Sequence, residues 1–229
     1  MKAENPVFFL DYDGTLAPIA PRPEEALPHP EALRVLEALR QRYPVYVVTG
    51  RRVEDLERLL PLAGLPVVGG HGLEEGVVGG EKRSLFPVDL APLRAHLPQC
   101  PGVRVEDKGF SLALHYREAR HEARALACLK AWLREVEGLL RALGLEVLQG
   151  KKVLEIKPRG VNKGEAVLRL LARHPGRTPV YIGDDVTDEA AFRALEGRGL
   201  TLKVGPGPTA AQGRLRDAEA VLAYLKTYL

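Results

Sequence analysis

Two aspartates stand two positions apart at the end of the first apolar run of the chain. In the stretch FFLDYDGTLAPI, Asp11 and Asp13 follow Leu10 and precede Gly14. Two carboxylates about 4 Å apart repel each other by several kcal/mol at a protein-like dielectric constant. A hard dication removes that conflict, and Mg2+ prefers oxygen ligands. The pair therefore indicates a metal site, and the alternative is a turn that the two aspartates form before the glycine.

A second acidic cluster, GDDVTDE, follows another apolar run in the last quarter of the chain. It contains Asp184 and Asp188. On its own, this cluster could equally be a helix N-cap with acidic residues in the first turn. Two acidic clusters that both follow apolar runs favour one shared site. We therefore predict a Mg2+ site with Asp11 and Asp13 on one side and Asp184 on the other, and with Asp188 in or near the shell of ligands.

Apolar runs alternate with amphipathic helical patterns in the first and last thirds of the chain. The runs are continuous, which is typical of strands in a parallel sheet that helices cover on both faces. The predicted strands lie at 7–10, 45–50, 65–70, 179–185 and 200–205. The predicted helices lie at 29–43, 53–60, 162–174, 186–195 and 217–228.

The pattern changes between these two parts. Residues 85–158 read as a helix, two strands, a helix and two more strands. The stretch FSLALHY alternates in apolar character, which indicates a half-buried antiparallel sheet. We therefore predict an α/β protein with a doubly wound parallel-sheet core, formed by residues 1–84 and 159–229. An α+β domain, residues 85–158, is inserted into that core.

Four predicted strands end in groups that could bind or transform a ligand. In open α/β sheets, ligands bind beyond the carboxyl ends of the strands. The four groups are Asp11–Tyr12–Asp13, Thr49–Gly50–Arg51, Gly70–His71–Gly72 and Gly183–Asp184–Asp185. Lys163 begins a helix that leads back to the sheet, although a lone lysine is more often a solvated surface residue.

Composition and patterning argue against several classes of protein. The chain has 33 basic and 30 acidic residues and no basic run with interleaved aromatics, so we predict no nucleic-acid binding. No apolar stretch approaches the ~18 residues of a membrane span, and the N-terminal run lacks a signal-peptide pattern. Cys100 and Cys128 lack metal-site spacing, which favours two free thiols in a reducing compartment. We predict a cytoplasmic protein without membrane association and without an obligate protein partner.

The motifs resemble those of the haloacid dehalogenase superfamily. Its four signatures correspond here to DYDGTLAPI, TGR, the lysine before a helix, and GDDVTDE. Within the superfamily, the chain resembles the trehalose-6-phosphate phosphatase branch. That narrower resemblance rests on GGHGLE, VEDKGFSLALHYR, VLEIKPRGVNKG and GDDVTDEAAF, which follow one another along nearly the whole chain.

The resemblance implies a mechanism in two steps. Asp11 would attack phosphorus and form an aspartyl-phosphate. Asp13 would protonate the departing sugar oxygen and later take a proton from the attacking water. Thr49 and Lys163 would neutralise charge on the phosphate. The implied metal ligands are Asp11, the backbone carbonyl of Asp13, and Asp184, with Asp188 in or near the shell.

The resemblance also implies two sets of substrate-binding residues. The inserted domain would be a mobile cap that selects the sugar, with hydroxyl-binding residues Glu106, Lys108, Arg117 and Glu155. The alternative for these four is a set of solvated charges on strand faces. In the core, the phosphate or sugar would contact Gly14, Gly50, Arg51 and His71. For the histidine, a purely structural role is the alternative.

Taken together, the motifs predict an enzyme that acts on a small sugar phosphate. We expect Mg2+-dependent hydrolysis of trehalose 6-phosphate to trehalose and phosphate, the last step of trehalose biosynthesis. One alternative is a phosphatase for sucrose 6-phosphate or mannosyl-3-phosphoglycerate. Another is a non-catalytic sugar-phosphate sensor.

Overall fold

The computed structural model describes residues 2–150 and 152–229. These residues fall into two compact units. The larger unit contains the described residues up to Leu85 together with Asn162–Leu229, and the smaller unit is Phe86–Val161.

The helices and strands of both units are numbered along the chain. The strands are β1 (Pro6–Leu10), β2 (Val45–Val48), β3 (Pro66–Gly69), β4 (Glu74–Val77), β5 (Lys82–Ser84), β6 (Arg104–Asp107), β7 (Leu112–His115), β8 (Leu145–Gly150), β9 (Val153–Pro158), β10 (Thr178–Gly183), β11 (Leu200–Val204) and β12 (Gly213–Leu215). The α-helices are α1 (Ala32–Arg40), α2 (Val53–Leu59), α3 (Ala91–Arg94), α4 (Glu122–Glu135), α5 (Glu137–Ala142), α6 (Lys163–Leu171), α7 (Glu189–Ala194) and α8 (Ala218–Lys226). Short 3-10 helices lie at Pro23–Glu25, Gly70–Gly72 and Val186–Asp188.

An eight-stranded sheet forms the centre of the larger unit. Its order is β12-β11-β10-β1-β2-β3-β4-β5. The strands from β12 to β3 are parallel, and β4 and β5 are antiparallel additions at one edge. The described residues thus confirm the predicted α/β fold with a mostly parallel sheet.

Strand β1 is apolar at every position because both faces of the sheet are covered. Phe8 and Leu10 belong to a core cluster that includes residues of α1, α2 and α8. Val7 and Phe9 belong to a second cluster with residues of α6 and α7. A strand buried on both sides needs a continuous apolar run, which is the pattern that the sequence shows.

The smaller unit has a four-stranded antiparallel sheet in the order β6-β7-β9-β8. One face of the sheet is apolar and belongs to a core cluster with α4, through Leu112, Leu114 and Ile156 on the strands and Leu129 on the helix. The other face carries polar residues. The two-residue period of FSLALHY therefore places alternate side chains on opposite faces, as predicted.

The two cysteines form a disulfide in the smaller unit, so the expectation of two free thiols is wrong. Cys100 precedes β6 and Cys128 lies in α4, with Cα atoms 5.8 Å apart. The residues are 28 positions apart in the chain, and only the packing of the helix beside that loop brings them together. None of the described helices combines the length with the apolar composition that a membrane span requires.

Candidate active site

Four chemically active segments meet at one edge of the large sheet. Strands β10, β1, β2 and β3 are neighbours in that order and run parallel. The first residue after each strand belongs to one of the four strand-end groups predicted from the sequence. In the same order, these residues are Asp184, Asp11, Thr49 and Gly70. Since parallel strands end at the same edge, segments far apart in the chain converge there.

Lys163 lies between two aspartates at this edge. Its Nζ is 2.8 Å from Oδ1 of Asp11 and 2.8 Å from Oδ1 of Asp188. The lysine is 2% exposed, and the aspartates are 4% and 0% exposed. Burial alone would lower the pKa of Lys163, but the two carboxylates raise it, so the ammonium stays charged. The helix that carries this lysine is capped by Asn162, whose side chain accepts from the backbone N–H of Glu165.

The carboxyl groups of Asp11, Asp184 and Asp188 form a cluster. Each offers an oxygen that lies within 4.8 Å of the others. Burial, and then repulsion from Asp188, raise the pKa of Asp11 well above its ordinary value and raise that of Asp184 to about 6. A hard dication among carboxylate oxygens would relieve this repulsion, so the residues present fit the predicted metal.

Asp188 differs from the other two because several donors surround it. Its Oδ1 accepts from the Tyr181 hydroxyl over 2.6 Å, in addition to Lys163. Its Oδ2 accepts from the backbone N–H groups of Asp184 and Asp185 over 3.0 and 2.9 Å. Burial alone would raise the pKa of Asp188, but the contact with Lys163 and the hydrogen bonds from these donors lower it. This carboxylate is therefore ionised and held in one orientation.

Asp13 contacts an arginine from the neighbouring strand end. Arg51 Nε donates to Oδ2 of Asp13 and a terminal nitrogen donates to Oδ1, each over 2.7 Å. That terminal nitrogen also donates to the Pro23 carbonyl over 2.9 Å. The guanidinium carbon lies 5.6 Å from the centroid of the Tyr12 ring.

Two predicted glycines are required by the space around them. At Gly14, where φ is +73°, a Cβ atom would lie 2.1 Å from Oδ2 of Asp184. At Gly50, a Cβ would lie 2.5 Å from the His71 ring. The backbone N–H of His71 donates to the Thr49 carbonyl over 2.9 Å. The structure therefore brings both glycines, the threonine and the histidine to the same sheet edge.

The predicted sugar-binding residues lie in the smaller unit, and three of them share a region of its sheet. Glu106 pairs with Ala113, which in turn pairs with Glu155, so both glutamates are on one face. Lys108 Nζ donates to Glu155 Oε1 over 3.1 Å. Arg117 is exposed and follows β7 by two residues.

One of these glutamates also has a histidine partner. His115 Nε2 donates to Glu106 Oε2 over 2.7 Å, and this bond lowers the pKa of Glu106. The polar face of the small sheet therefore holds two carboxylates, each with a basic partner. Carboxylates and ammonium groups in this arrangement can accept from and donate to sugar hydroxyls.

Comparison with known proteins decides the family. Residues 9–215 match the trehalose-phosphatase family. The chain is 34% identical to the trehalose-6-phosphate phosphatase of Escherichia coli (strain K12), over 96% of this chain and 85% of that protein. The chain belongs to the trehalose-phosphatase family. As a member of this family, the protein is a phosphatase and therefore a hydrolase.

Solved structures agree with this assignment. The C-terminal domain of the trehalose-6-phosphate phosphatase of C. albicans is 25% identical, with a TM-score of 0.80 over 98% of this chain and 92% of that one. A haloacid dehalogenase-like hydrolase from Bacteroides thetaiotaomicron is 15% identical, with a TM-score of 0.70 over 99% and 100% of the two chains. The second likeness concerns the fold alone, and it identifies the fold of this trehalose-phosphatase family member as haloacid dehalogenase-like.

Three buried polar residues of this phosphatase contact the site residues and are missing from the sequence-based prediction. They are Tyr181, which donates to Asp188, Lys203, which donates to the backbone carbonyl of Asp184, and Ser111, which donates to Glu155 over 2.8 Å. Each is a polar side chain inside or beside an otherwise buried strand. A buried polar group needs a partner, but this need does not indicate from the sequence which residue the partner is.

Proposed function

We propose that this phosphatase hydrolyses trehalose 6-phosphate to trehalose and phosphate with the help of Mg2+, as the last step of trehalose biosynthesis. The names of its relatives support the substrate. The observation that carries the chemistry is Lys163, which lies 2.8 Å from both Asp11 and Asp188 within a cluster of three carboxyl groups, two of them buried and that of Asp184 half-buried. A nucleophilic carboxylate, a cation beside it and oxygen ligands for a metal are the groups that phosphoryl transfer requires.

Asp11 is the nucleophile of the first step. One of its oxygens forms a bond to phosphorus, the bond from phosphorus to the sugar oxygen breaks, and an aspartyl-phosphate remains on the enzyme. A carboxylate and a phosphate ester repel each other, so positive charge is needed beside both. Lys163 supplies it from one side, and the Thr49 hydroxyl provides a hydrogen-bond donor at the next strand end.

Asp13 is the acid and base of the two steps. Its carboxyl group gives a proton to the departing sugar oxygen, then takes one from the water that attacks the aspartyl-phosphate. The second attack breaks the bond between phosphorus and Asp11 and releases inorganic phosphate. General acid–base catalysis of this kind contributes about 10²- to 10⁴-fold to the rate.

The metal would be held by the carboxylates of Asp11 and Asp184 and by the backbone carbonyl of Asp13. Bound Mg2+ neutralises charge on the phosphate in such sites. We assign Asp188 a supporting role, because its two oxygens already accept hydrogen bonds from Lys163, Tyr181 and two backbone N–H groups. It would keep the lysine and the segment of Asp184 in place.

The smaller unit would act as the cap that selects the sugar. Its hydroxyl-binding residues would be Glu106, Lys108, Arg117 and Glu155. In the larger unit, Gly14 and Gly50 would allow the backbone to approach the phosphate, and His71 would line the same side of the site.

Phosphate release from a panel of sugar phosphates tests the proposal. The protein is incubated with Mg2+ and trehalose 6-phosphate, sucrose 6-phosphate, mannosyl-3-phosphoglycerate or glucose 6-phosphate. We expect kcat/KM for trehalose 6-phosphate to exceed the others by about 100-fold, because unpaired polar groups in a site built for hydroxyls penalise other sugars. Equal rates would refute the substrate.

Two controls test the chemistry apart from the substrate. Asp11→Asn removes the nucleophile with little change in shape, so turnover of every ester should cease while the melting temperature shows that the protein is folded. Chelation of divalent ions should stop turnover, and Mg2+ should restore it. A variant that retains activity without Asp11 would contradict the aspartyl-phosphate.

A further inference from the structure

We propose that Arg51 is a positioning residue for the acid–base carboxylate of Asp13, and that this is its main role instead of the substrate contact that its motif implies. The inference rests on the proposed function, because Arg51 gains this task only if Asp13 exchanges protons with the sugar oxygen and with water.

The Arg51 guanidinium holds both oxygens of the Asp13 carboxylate, with two donor–acceptor distances of 2.7 Å. A two-point contact fixes the plane of a carboxylate as well as its position, which a single ammonium group does not. The Arg51 side chain is 13% exposed and that of Asp13 is 41% exposed. The more buried Arg51 side chain therefore restrains the more exposed side chain of Asp13.

Arg51 is itself held from several directions. Its backbone N–H donates to Thr49 Oγ1 over 3.1 Å, and its carbonyl accepts from the Gly70 N–H over 2.9 Å. Its side chain also donates to the Pro23 carbonyl and lies beside the ring of Tyr12. Arg51 therefore connects the ends of β2 and β3 to the segment that follows β1.

Asp13 needs this support because it lies outside the regular strands. It follows the last residue of β1 by three positions. Proton transfer requires the carboxyl group to stay within about 3 Å of the reacting oxygen. A half-exposed side chain on a connecting segment has several rotamers, and the two-point contact selects one of them.

Phosphate binding is the competing role for Arg51. The guanidinium has five N–H groups, and contacts to Asp13 and Pro23 engage its Nε and one terminal nitrogen. Rotation of these groups toward a phosphate would break all three hydrogen bonds. The other terminal nitrogen could donate to a phosphate without breaking them, but the two-point contact with Asp13 fixes the guanidinium within the protein, and the leaving-group comparison separates the two roles.

The two roles predict different responses to the leaving group. A sugar alkoxide must be protonated as it departs, whereas p-nitrophenolate leaves without a proton. Both esters carry the same phosphate. The ratio kcat/KM reports the steps through the first irreversible one, which is transfer of the phosphoryl group to Asp11. Loss of acid catalysis therefore lowers kcat/KM for the sugar phosphate selectively, and loss of a phosphate contact lowers it for both esters.

The experiment compares Arg51→Met and Arg51→Lys with the wild type. The esters are p-nitrophenyl phosphate and whichever sugar phosphate the panel shows to be the best substrate. For Arg51→Met, we expect kcat/KM to fall about 10- to 100-fold for the sugar phosphate and less than about threefold for p-nitrophenyl phosphate. Arg51→Lys should show most of the same loss, because lysine cannot contact both oxygens in one plane. Arg52→Met, at the neighbouring arginine, is the matched control and should affect neither ester.

A double variant shows whether Arg51 acts through Asp13. In the Asp13→Asn background, Arg51→Met should cause little further loss, because residues that act as one unit are not additive. Equal losses with both esters, or additive losses in the double variant, would overturn the proposal. A wild type that hydrolyses neither ester would refute the proposed function and the role of Arg51 with it. If the panel shows that another sugar phosphate is the best substrate, the proposed substrate is wrong, and the Arg51 variants are compared with that ester.

Discussion

Tyr181 acts on the acidic cluster from inside the sheet. It is fully buried, and its hydroxyl is 2.6 Å from Asp188. Burial and the neighbouring carboxylate of Asp188 raise its pKa well above the ordinary value, so the hydroxyl remains a donor. Because Asp188 in turn contacts Lys163, the tyrosine restrains the lysine ammonium group beside the nucleophile Asp11.

We expect Tyr181→Phe to lower kcat about tenfold with little change in KM, since a loosened Lys163 stabilises the transition state less well. The free energy of unfolding should fall by about 1.5–3 kcal/mol, the range for a hydrogen bond to a charged group. Steady-state kinetics and urea unfolding measure the two effects.

Tyr46→Phe is the matched control for this prediction. Tyr46 lies in strand β2 of the same sheet, and its hydroxyl is hydrogen-bonded to His174 Nε2 over 2.7 Å. Its loss should reduce stability and leave kcat unchanged. If both variants lose the same fraction of kcat, Tyr181 has no specific link to the site.

Site residues that follow a strand can be predicted from the sequence, whereas those inside a strand cannot. Asp11, Thr49 and Asp184 could be predicted because each follows a continuous apolar run. Tyr181 could not, because within such a run an aromatic residue is equally suited to packing. Lys203 could not be predicted either. It is a single lysine in the apolar strand β11, and the sequence does not indicate which carbonyl it contacts.

At the scale of elements, the disulfide is the feature with the clearest energetic consequence. It closes a loop of 28 residues between the segment before β6 and helix α4. Replacement of both cysteines by alanine should destabilise the protein by about 3–4 kcal/mol, mainly because the unfolded chain gains freedom. Thermal unfolding with and without a reductant measures this.

The double alanine variant also provides the control for the reductant. A reductant should lower the melting temperature of the wild type and leave that of the variant unchanged. An unchanged melting temperature in the reduced wild type would contradict the prediction. The pairing also removes one argument for a reducing compartment, so the cytoplasmic location stays a prediction.

Some strands and helices could be predicted from the pattern of apolar residues, and others could not. Strands β1, β2 and β10 are continuous apolar runs, and their buried positions follow directly from that pattern. Strand β12 has three residues and follows a segment rich in glycine and proline, so no run indicates it. The helix predicted at the start of residues 85–158 spans only Ala91–Arg94, with a proline in its first turn. Helices often begin at such a residue, because its missing N–H would be unpaired there anyway.

At the scale of the whole molecule, the change of pattern between the outer and middle parts of the chain indicated an insertion. The larger unit is formed from two separated stretches, while the smaller unit is continuous at Phe86–Val161. The sequence predicts boundaries at 84/85 and 158/159. That the smaller unit selects the sugar stays a prediction, which the panel of sugar phosphates tests indirectly.

The acidic cluster should make the stability of the protein depend on pH in an unusual direction. Burial and the charge of Asp188 raise the pKa of Asp184 to about 6, and that of Asp11 also rises. Between their unfolded values near 4 and these folded values, the folded state binds more protons than the unfolded state. Stability contributed by these two groups therefore falls as pH rises through this window. Asp188, whose pKa is lowered, contributes in the opposite direction at lower pH.

Mg2+ should reverse this loss, because it binds the ionised carboxylates and competes with protons. We expect little rise in melting temperature on addition of Mg2+ at pH 5 and a clear rise at pH 7.5, where saturation at 100 times Kd stabilises by about 2.7 kcal/mol. The measurement is thermal unfolding at both pH values, with NaCl at matched ionic strength as the control. Asp184→Asn should abolish the Mg2+ effect and weaken the pH dependence. An equal shift at both pH values, or an equal shift with NaCl, would show that the carboxyl cluster does not bind the ion.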